Sequence, residues 1–520
     1  MLVQRHQMGV RQVTHATPAG DARRPNIVFI FTDQHSRSSL GCYGSTICNT
    51  PVLNSLAASG VVFDHAYTTC PVCAPARASL QTGLYPNRHG ILTNIFDHGC
   101  MLHELPDRPT LLSRRLAARG YSAGYTGKWH LGYGKRTYED PYWHENYAAI
   151  DMHMPDVDYP DFYRQGSSPP TDLGYEGDDF PGHGGGGHAY PLYLRYLQQH
   201  GLAHTVVPAG RGYGEVVSPR ESTIDHFLVE RAKKLVDTFR TRPQPFFVAL
   251  NFWGPHGPAY VPTEFFEPYR GKAIPPWPNF KDDLANKPRI HNVKRNRTAD
   301  WAHFEDHLRY YYGYVSYLDA EIGRLLDHLK QCSLDGNTWI IFAADHGDSM
   351  GIHAGLSDKS FYLFEETCSI PLIIRPPTGC PPRRVAQFAN TTDIYSTILD
   401  LAGVPDDLNR RDGRSLLPLV RNEQPADWPQ TVVTEASGLS HCLFSQRMIR
   451  RGDVKYVFNC GDIDELYDLD ADPHELRNLV VEQQAAGLLR EMRRELCTWM
   501  RSHRDGLIQH HHMIVPLEEQ

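Results

Sequence analysis

The chain has 520 residues, 41% of them hydrophobic and 22% charged, with a formal net charge of -8. With a mean hydropathy of -0.45 and a pI near 6.4, this composition excludes a membrane-embedded chain and gives no general attraction to phosphate backbones or anionic lipid. Nucleic acid and membrane are therefore not expected partners, and an anionic substrate would need positive groups gathered locally.

Eleven cysteines in 520 residues are too sparse, and odd in number, for a disulfide framework, so mostly reduced thiols are expected. Residues 1–25 hold Arg5, His6, Arg11, Arg23 and Arg24 but no uninterrupted apolar run. They read as an N-terminal extension without a signal-peptide core, which makes a cytoplasmic location the expectation. Residues 26–32, Asn-Ile-Val-Phe-Ile-Phe-Thr, form a continuous apolar run ending at Asp33-Gln34, the pattern of a strand covered on both faces. A helical pattern follows over 108–119. Residues 133–222 break the rhythm, being rich in Tyr, Asp, Pro, Gly and His, with Gly182-His183-Gly184-Gly185-Gly186-Gly187-His188 among them. They read as an insertion over the sheet edge that shapes substrate choice, with His183 and His188 as surface-loop residues.

Further strand-like runs occupy 245–250, 338–344 and 370–374, with a helical pattern over 309–331 between them. This alternation predicts an α/β domain with a mainly parallel central sheet over 26–404. Two strands end in polar groups, Asp33 and Asp345-His346, at the edge where open α/β sheets form ligand sites. After Gly403-Val404-Pro405 the texture changes, and strand-like runs at 430–434 and 454–458 predict a smaller C-terminal α+β subdomain over 405–520. Leu488, Leu489, Met492, Leu496 and Met500 recur at helical spacing within 483–504 and read as core.

The most informative stretch is Cys70-Pro71-Val72-Cys73-Ala74-Pro75-Ala76-Arg77, with Leu80 and Thr82-Gly83 after it. The Cys70-x-x-Cys73 spacing admits a redox pair or half of a zinc site, although no second Cys/His pair at zinc spacing accompanies it. Read from Cys73 onward, Cys-x-Pro-x-Arg resembles the signature of type I, formylglycine-dependent sulfatases of the alkaline-phosphatase superfamily. That resemblance implies the alkaline-phosphatase-like α/β fold and hydrolysis of a sulfate ester. It also implies conversion of Cys73 by a formylglycine-generating maturase to an aldehyde that hydrates to a diol. The chemistry needs the conversion, because a thiol attacking sulfur would leave a stable adduct, whereas a diol keeps a second hydroxyl with which to expel sulfate. Arg77, one helical turn on from Cys73, would bring a permanent charge to the diol and its ligands.

The resemblance extends to five further elements. Asp33, Asp345 and His346 match the family's metal positions together with Cys73, and Gln34 is expected either to ligate weakly or only to frame the site. Oxygen ligands with one imidazole imply one divalent ion, calcium or manganese. Gly127-Lys128-Trp129-His130 looks like the family's Gly-Lys-Trp-His motif. It would place Lys128 on a sulfate oxygen and His130 as the group that takes the diol proton, the two pointing the same way from an extended segment. Pro255-His256-Gly257-Pro258 makes His256 the donor to the leaving alcohol. Lys359 matches the second sulfate-binding lysine, and His353 nearby is open to a substrate contact or a loop role. Residues 465–479 resemble the family's closing hairpin.

Ala76, Gln34 and His346 depart from the commonest sulfatase pattern and resemble choline sulfatases and phosphonate monoester hydrolases. A phosphonate monoester or phosphodiester hydrolase with the same site is therefore the rival reading, and a non-catalytic protein that binds sulfated glycans is the remote one. The Tyr and His content of 133–222 suits a sugar sulfate, and the sequence is compatible with a homo-oligomer.

Overall fold

The computed structural model describes residues 24–95, 102, 104–132, 169–180, 184–188, 190–293, 295–296, 298, 300–359, 361–405, 411–439 and 442–514. His183 and residues 133–168 lie outside the described residues.

The central sheet is built from β1 (Asn26–Asp33), β2 (Val61–Phe63), β3 (Ser122–Gly127), β4 (Glu176–Gly177), β5 (Phe246–Pro255), β6 (Thr338–Ala344), β7 (Leu372–Arg375) and β8 (Arg383–Val385). Their order across the sheet is β8-β2-β7-β6-β1-β5-β3-β4. Every pairing is parallel except the two made by β7. The expected mainly parallel α/β sheet is thus present. Its middle strand β1 has Ile27 to Phe31 at no more than 1% exposure, which explains why the run is continuously apolar rather than alternating: helices cover both faces.

Three helices support the sheet and the residues at its edge, α1 (Cys73–Thr82), α2 (Ile224–Phe239) and α3 (Trp301–Gln331), while α4 (Ala486–Ser502) belongs to the C-terminal part. The helix expected over 309–331 is the rear of α3. Its first two turns continue the apolar stripe through Trp301, Phe304 and Leu308, and the start is set by Asp300, which accepts the His303 amide at 3.1 Å. The expected helix at 108–119 is shorter, Leu112–Ala118. Part of the expected insertion is integrated into the fold: β4 extends the sheet edge, and the hairpin Val206–Gly210/Tyr213–Val216 pairs with Ala259–Pro262.

Beyond residue 430 a four-stranded antiparallel sheet forms from β9 (Thr431–Ala436), β10 (Gln446–Arg451), β11 (Val454–Asn459) and β12 (Glu465–Asp468). Helix α4 lays Leu489, Met492, Leu496 and Met500 on Val433, Ile449, Tyr456 and Phe458, so these residues are core, as their spacing predicts. The sheet is joined to the segment before α1 by Glu435 N–H donating to Thr69 O at 2.8 Å and Thr434 Oγ1 to Thr68 O at 2.7 Å. Among the described residues no helix is long and apolar enough to cross a membrane.

Candidate active site

The four adjacent parallel strands β6-β1-β5-β3 all end on one edge of the sheet, and each delivers polar groups there. β1 ends at Asp33, β6 runs into Asp345-His346, β3 into Lys128 and β5 into His256. Backbone hydrogen bonds continue past the strand ends and fix these residues against one another. Asp345 N–H donates to Thr32 O at 3.1 Å, His256 N–H to Asp33 O at 3.1 Å, and Lys128 N–H to Asn251 O at 3.0 Å. Gly127 is required at the end of β3, because its φ is +95° and a Cβ there would sit 1.7 Å from Asn251 O.

Helix α1 points its first residue at this edge. Cys73 Sγ lies 3.4 Å from His346 Nε2 and 3.6 Å from Asp33 Oδ1. His346 Nε2 is in turn 3.6 Å from both Asp33 Oδ1 and Asp345 Oδ1. The ring's Nδ1 donates to Gly347 O at 2.8 Å, because a carbonyl can only accept, and this bond orients the ring with Nε2 facing the acids. Ligand atoms of Asp33, Cys73, Asp345 and His346 all fall within 4.8 Å of one another. This buried set of two carboxylates, an imidazole and the residue-73 side chain is a donor set that fits one divalent ion.

Three cations surround the acids. Arg77 reaches Asp345 Oδ2 through Nε at 3.1 Å and NH2 at 3.0 Å, stands 3.6 Å from Asp33, and donates to Lys128 O at 3.0 Å. Lys128 Nζ is bonded to Asp33 Oδ2, and Lys359 Nζ to Gln34 Oε1. Burial and Asp33 push the Cys73 thiol up, but Lys128, Lys359 and His346 outweigh them and bring it down to about 5. Burial opposes ionisation of Asp33, yet Lys128, His256 and Arg77 hold its carboxyl well below the usual range. Burial and Asp33 raise Asp345, with His346 and Arg77 pulling the other way. Burial, then Lys359 and Lys128, press His256 down to about 4 against Asp33, and its Nδ1 donates to Gly257 O at 2.7 Å.

All ten site residues named from the sequence therefore belong to one edge, but several details differ from expectation. Gln34 uses its side chain as a bridge, Oε1 accepting from Lys359 and Nε2 donating to Asp348 Oδ2 at 2.5 Å. His130 is not on an extended segment: its φ of +56° breaks the alternation with Lys128. It is nevertheless buried within the field of Lys128, Asp33 and Arg77, and burial holds it well below the usual histidine range. Cys70 is buried among Thr68 and Val72 and takes no part in the cluster around Cys73. His353 lies on irregular, left-handed backbone and is fully buried, bonded to Asp282 at 2.6 Å and stacked on Phe364 at 3.9 Å. His188 is half-buried, its ring stacked on His204 at 4.8 Å and packed on Tyr260, not a surface-loop residue.

Three supporting residues escaped the sequence reading. Asp348 receives Gln34, and a signal existed in its place two residues beyond His346. Tyr311 on α3 ties both Gln34 O, at 2.9 Å, and Ser36 N–H, at 2.8 Å. Tyr125 donates to Lys128 O at 2.5 Å. Neither tyrosine carries a local signal, because its role depends on a partner distant in the chain or on the turn after β3.

The chain matches the family model described as Sulfatase over residues 25–404 and that of the N-sulphoglucosamine sulphohydrolase C-terminal region over 351–502. It is 29% identical to the uncharacterized sulfatase YidJ of Escherichia coli strain K12, over 93% of this chain and 88% of that one. It is 26% identical to the N-acetylglucosamine-6-O-sulfatase of Bacteroides thetaiotaomicron, over 94% and 88% respectively. Among solved structures, the phosphonate monoester hydrolase of Agrobacterium radiobacter superposes with a TM-score of 0.76 at 23% identity, covering 92% of this chain and 96% of that one.

Proposed function

Because this chain belongs to the sulfatase family and is a sulfuric ester hydrolase, we propose that it cleaves its ester with a formylglycine hydrate made from Cys73 and one divalent ion held by Asp33, Asp345, His346 and residue 73. The observation that carries this reading is the position of Cys73 Sγ, 3.4 Å from His346 Nε2 and 3.6 Å from Asp33 Oδ1, at the start of α1. In that position the cysteine sulfur stands in for a diol oxygen. The ion, calcium or manganese, would supply positive charge to the attacking oxygen and to the sulfuryl group; Gln34, its side chain held between Lys359 and Asp348, frames the site.

The protein's own groups do the rest. Lys128 and Lys359 neutralise the sulfate oxygens, which is worth most in a site where both lysines are buried. Arg77 clamps Asp345 and Asp33 so that the ligand oxygens face residue 73. His256 delivers a proton to the leaving alcohol; a bound sulfate ester places negative charge against its ring and raises its basicity for that task. His130, low in basicity through burial, takes the proton of the second hydroxyl as sulfate is expelled. The similarity to an N-acetylglucosamine-6-O-sulfatase supports a sulfated sugar as substrate, and a formylglycine-generating enzyme as the maturation partner is part of the same proposal.

A second reading, phosphonate monoester hydrolysis at the same site, is favoured by one observation, the His346 imidazole within the ligand cluster. Comparing turnover of p-nitrophenyl sulfate with that of a phenylphosphonate monoester separates the two. The primary test is peptide mass spectrometry of the Cys73 segment from protein made alongside a formylglycine-generating system. The thiol-to-aldehyde mass loss should appear together with sulfate release, and Cys73→Ala should abolish that release. Full activity with unmodified Cys73 would overturn the proposal.

A further inference from the structure

A second cluster of metal-ligand type lies away from the sheet edge, where α2 packs along α3. His328 and Cys332 stand four residues apart, and the helical hydrogen bond from Cys332 N–H to His328 O at 3.0 Å keeps both side chains on one face. Asp237, near the end of α2, faces them. His328 Nε2 is 3.2 Å from Asp237 Oδ1, Cys332 Sγ is 3.7 Å from His328 Nε2, and Sγ is 3.8 Å from the same carboxylate oxygen. All three residues are partly buried.

These separations are those of a tetrahedral face. With zinc bonded to sulfur at about 2.3 Å and to nitrogen and oxygen at about 2.0–2.2 Å, the tetrahedral edges are about 3.4 Å from nitrogen to oxygen and about 3.6 Å from sulfur to either. The observed triangle matches each edge to within about 0.2 Å. A thiolate, an imidazole and one carboxylate also form a set for a borderline-soft ion rather than for calcium or magnesium, which take oxygen shells. Arg240 Nε shares Asp237 Oδ1 at 2.9 Å, but this side chain is 47% exposed and can swing into solvent when a cation takes that oxygen.

We infer that Asp237, His328 and Cys332 form a second metal site, specific for a zinc-class divalent ion, that fastens α2 to α3 and leaves its fourth position to solvent. The site owes nothing to the reading of Cys73, so it is tested in protein carrying Cys73→Ala, which removes the thiol of the other cluster.

Cobalt(II), a spectroscopic substitute for zinc, should bind to full-length Cys73→Ala with a thiolate-to-cobalt charge-transfer band that excess zinc abolishes. Adding Cys332→Ser should eliminate the band, and His328→Ala should weaken cobalt binding at least tenfold. Both second-site variants should keep the metal-free melting temperature of the parent, which shows that they fold. Absence of the band in Cys73→Ala would overturn the inference, as would its persistence after Cys332→Ser.

Discussion

Arg77 gives the sharpest quantitative test of the site, through Arg77→Met, which keeps length and apolar stem but removes the charge. The guanidinium contacts Asp345 at 3.0 Å with both side chains buried, and at an effective dielectric of about 20 that attraction is about 5–6 kcal/mol. The stability loss is smaller, because Asp345 can take up a proton instead of remaining as an unpaired buried charge. At pH 7, protonating a carboxyl whose unfolded-state pKa is about 3.9 costs about 4 kcal/mol, which caps the deficit. Sign and slope follow from proton counting. Burial and Asp33 already raise Asp345 in the native protein, and loss of Arg77 raises it further.

Between the two folded pKa values the variant's native state holds a proton that its unfolded state lacks. The deficit relative to wild type therefore grows by about 1.4 kcal/mol per unit as pH rises and shrinks as pH falls. Urea unfolding of the chelator-treated proteins at pH 6 and pH 7 measures both quantities. A deficit below about 1 kcal/mol at pH 7, or one that shrinks from pH 6 to pH 7, would refute the claim that Arg77 neutralises this carboxylate.

Two other outcomes are expected. His256→Ala should slow hydrolysis of alkyl sulfates by about 10²–10⁴-fold, the usual worth of a positioned acid, but slow p-nitrophenyl sulfate much less, because that phenolate leaves without a proton; equal losses on both would remove His256 from the donor role. Arg447→Met strips the cation from Asp505, held through Nε at 2.6 Å, and from Glu435 at 3.7 Å, all nearly fully buried. It should cost about 3–5 kcal/mol of stability while leaving the Michaelis constant at 25 °C unchanged, a pair of results that calorimetry and steady-state kinetics check directly.

The site was legible in the chain to the extent that its residues sit directly after strands. Asp33 and Asp345-His346 directly follow apolar runs, so local pattern located them, whereas Lys128 and His256 were found through their resemblance to family motifs and the strand β3 that carries Lys128 was not foreseen. Cys73 and Arg77 were readable as a helical pair because a four-residue spacing is a property of the helix alone. His130 was misread for a comparable reason: an extended backbone was assumed where the chain turns into the left-handed region at +56°, and nothing in Gly-Lys-Trp-His announces that turn. The role of Gln34 was equally hidden, since its partners Lys359 and Asp348 lie more than 300 residues away.

By itself, then, the sequence determined the α/β class and two of the strand ends that carry polar groups, because these depend on periodicity and spacing within one element, while the resemblance of Cys73-x-Pro75-x-Arg77 to the sulfatase signature pointed to the proposed nucleophile. Only the tertiary structure decided that β6, β1, β5 and β3 are neighbours in parallel, so that their ends form one site. It also decided that Asp237 meets His328 and Cys332 across two helices. Such adjacency comes from packing between segments far apart in the chain, and a sum of local preferences does not contain it.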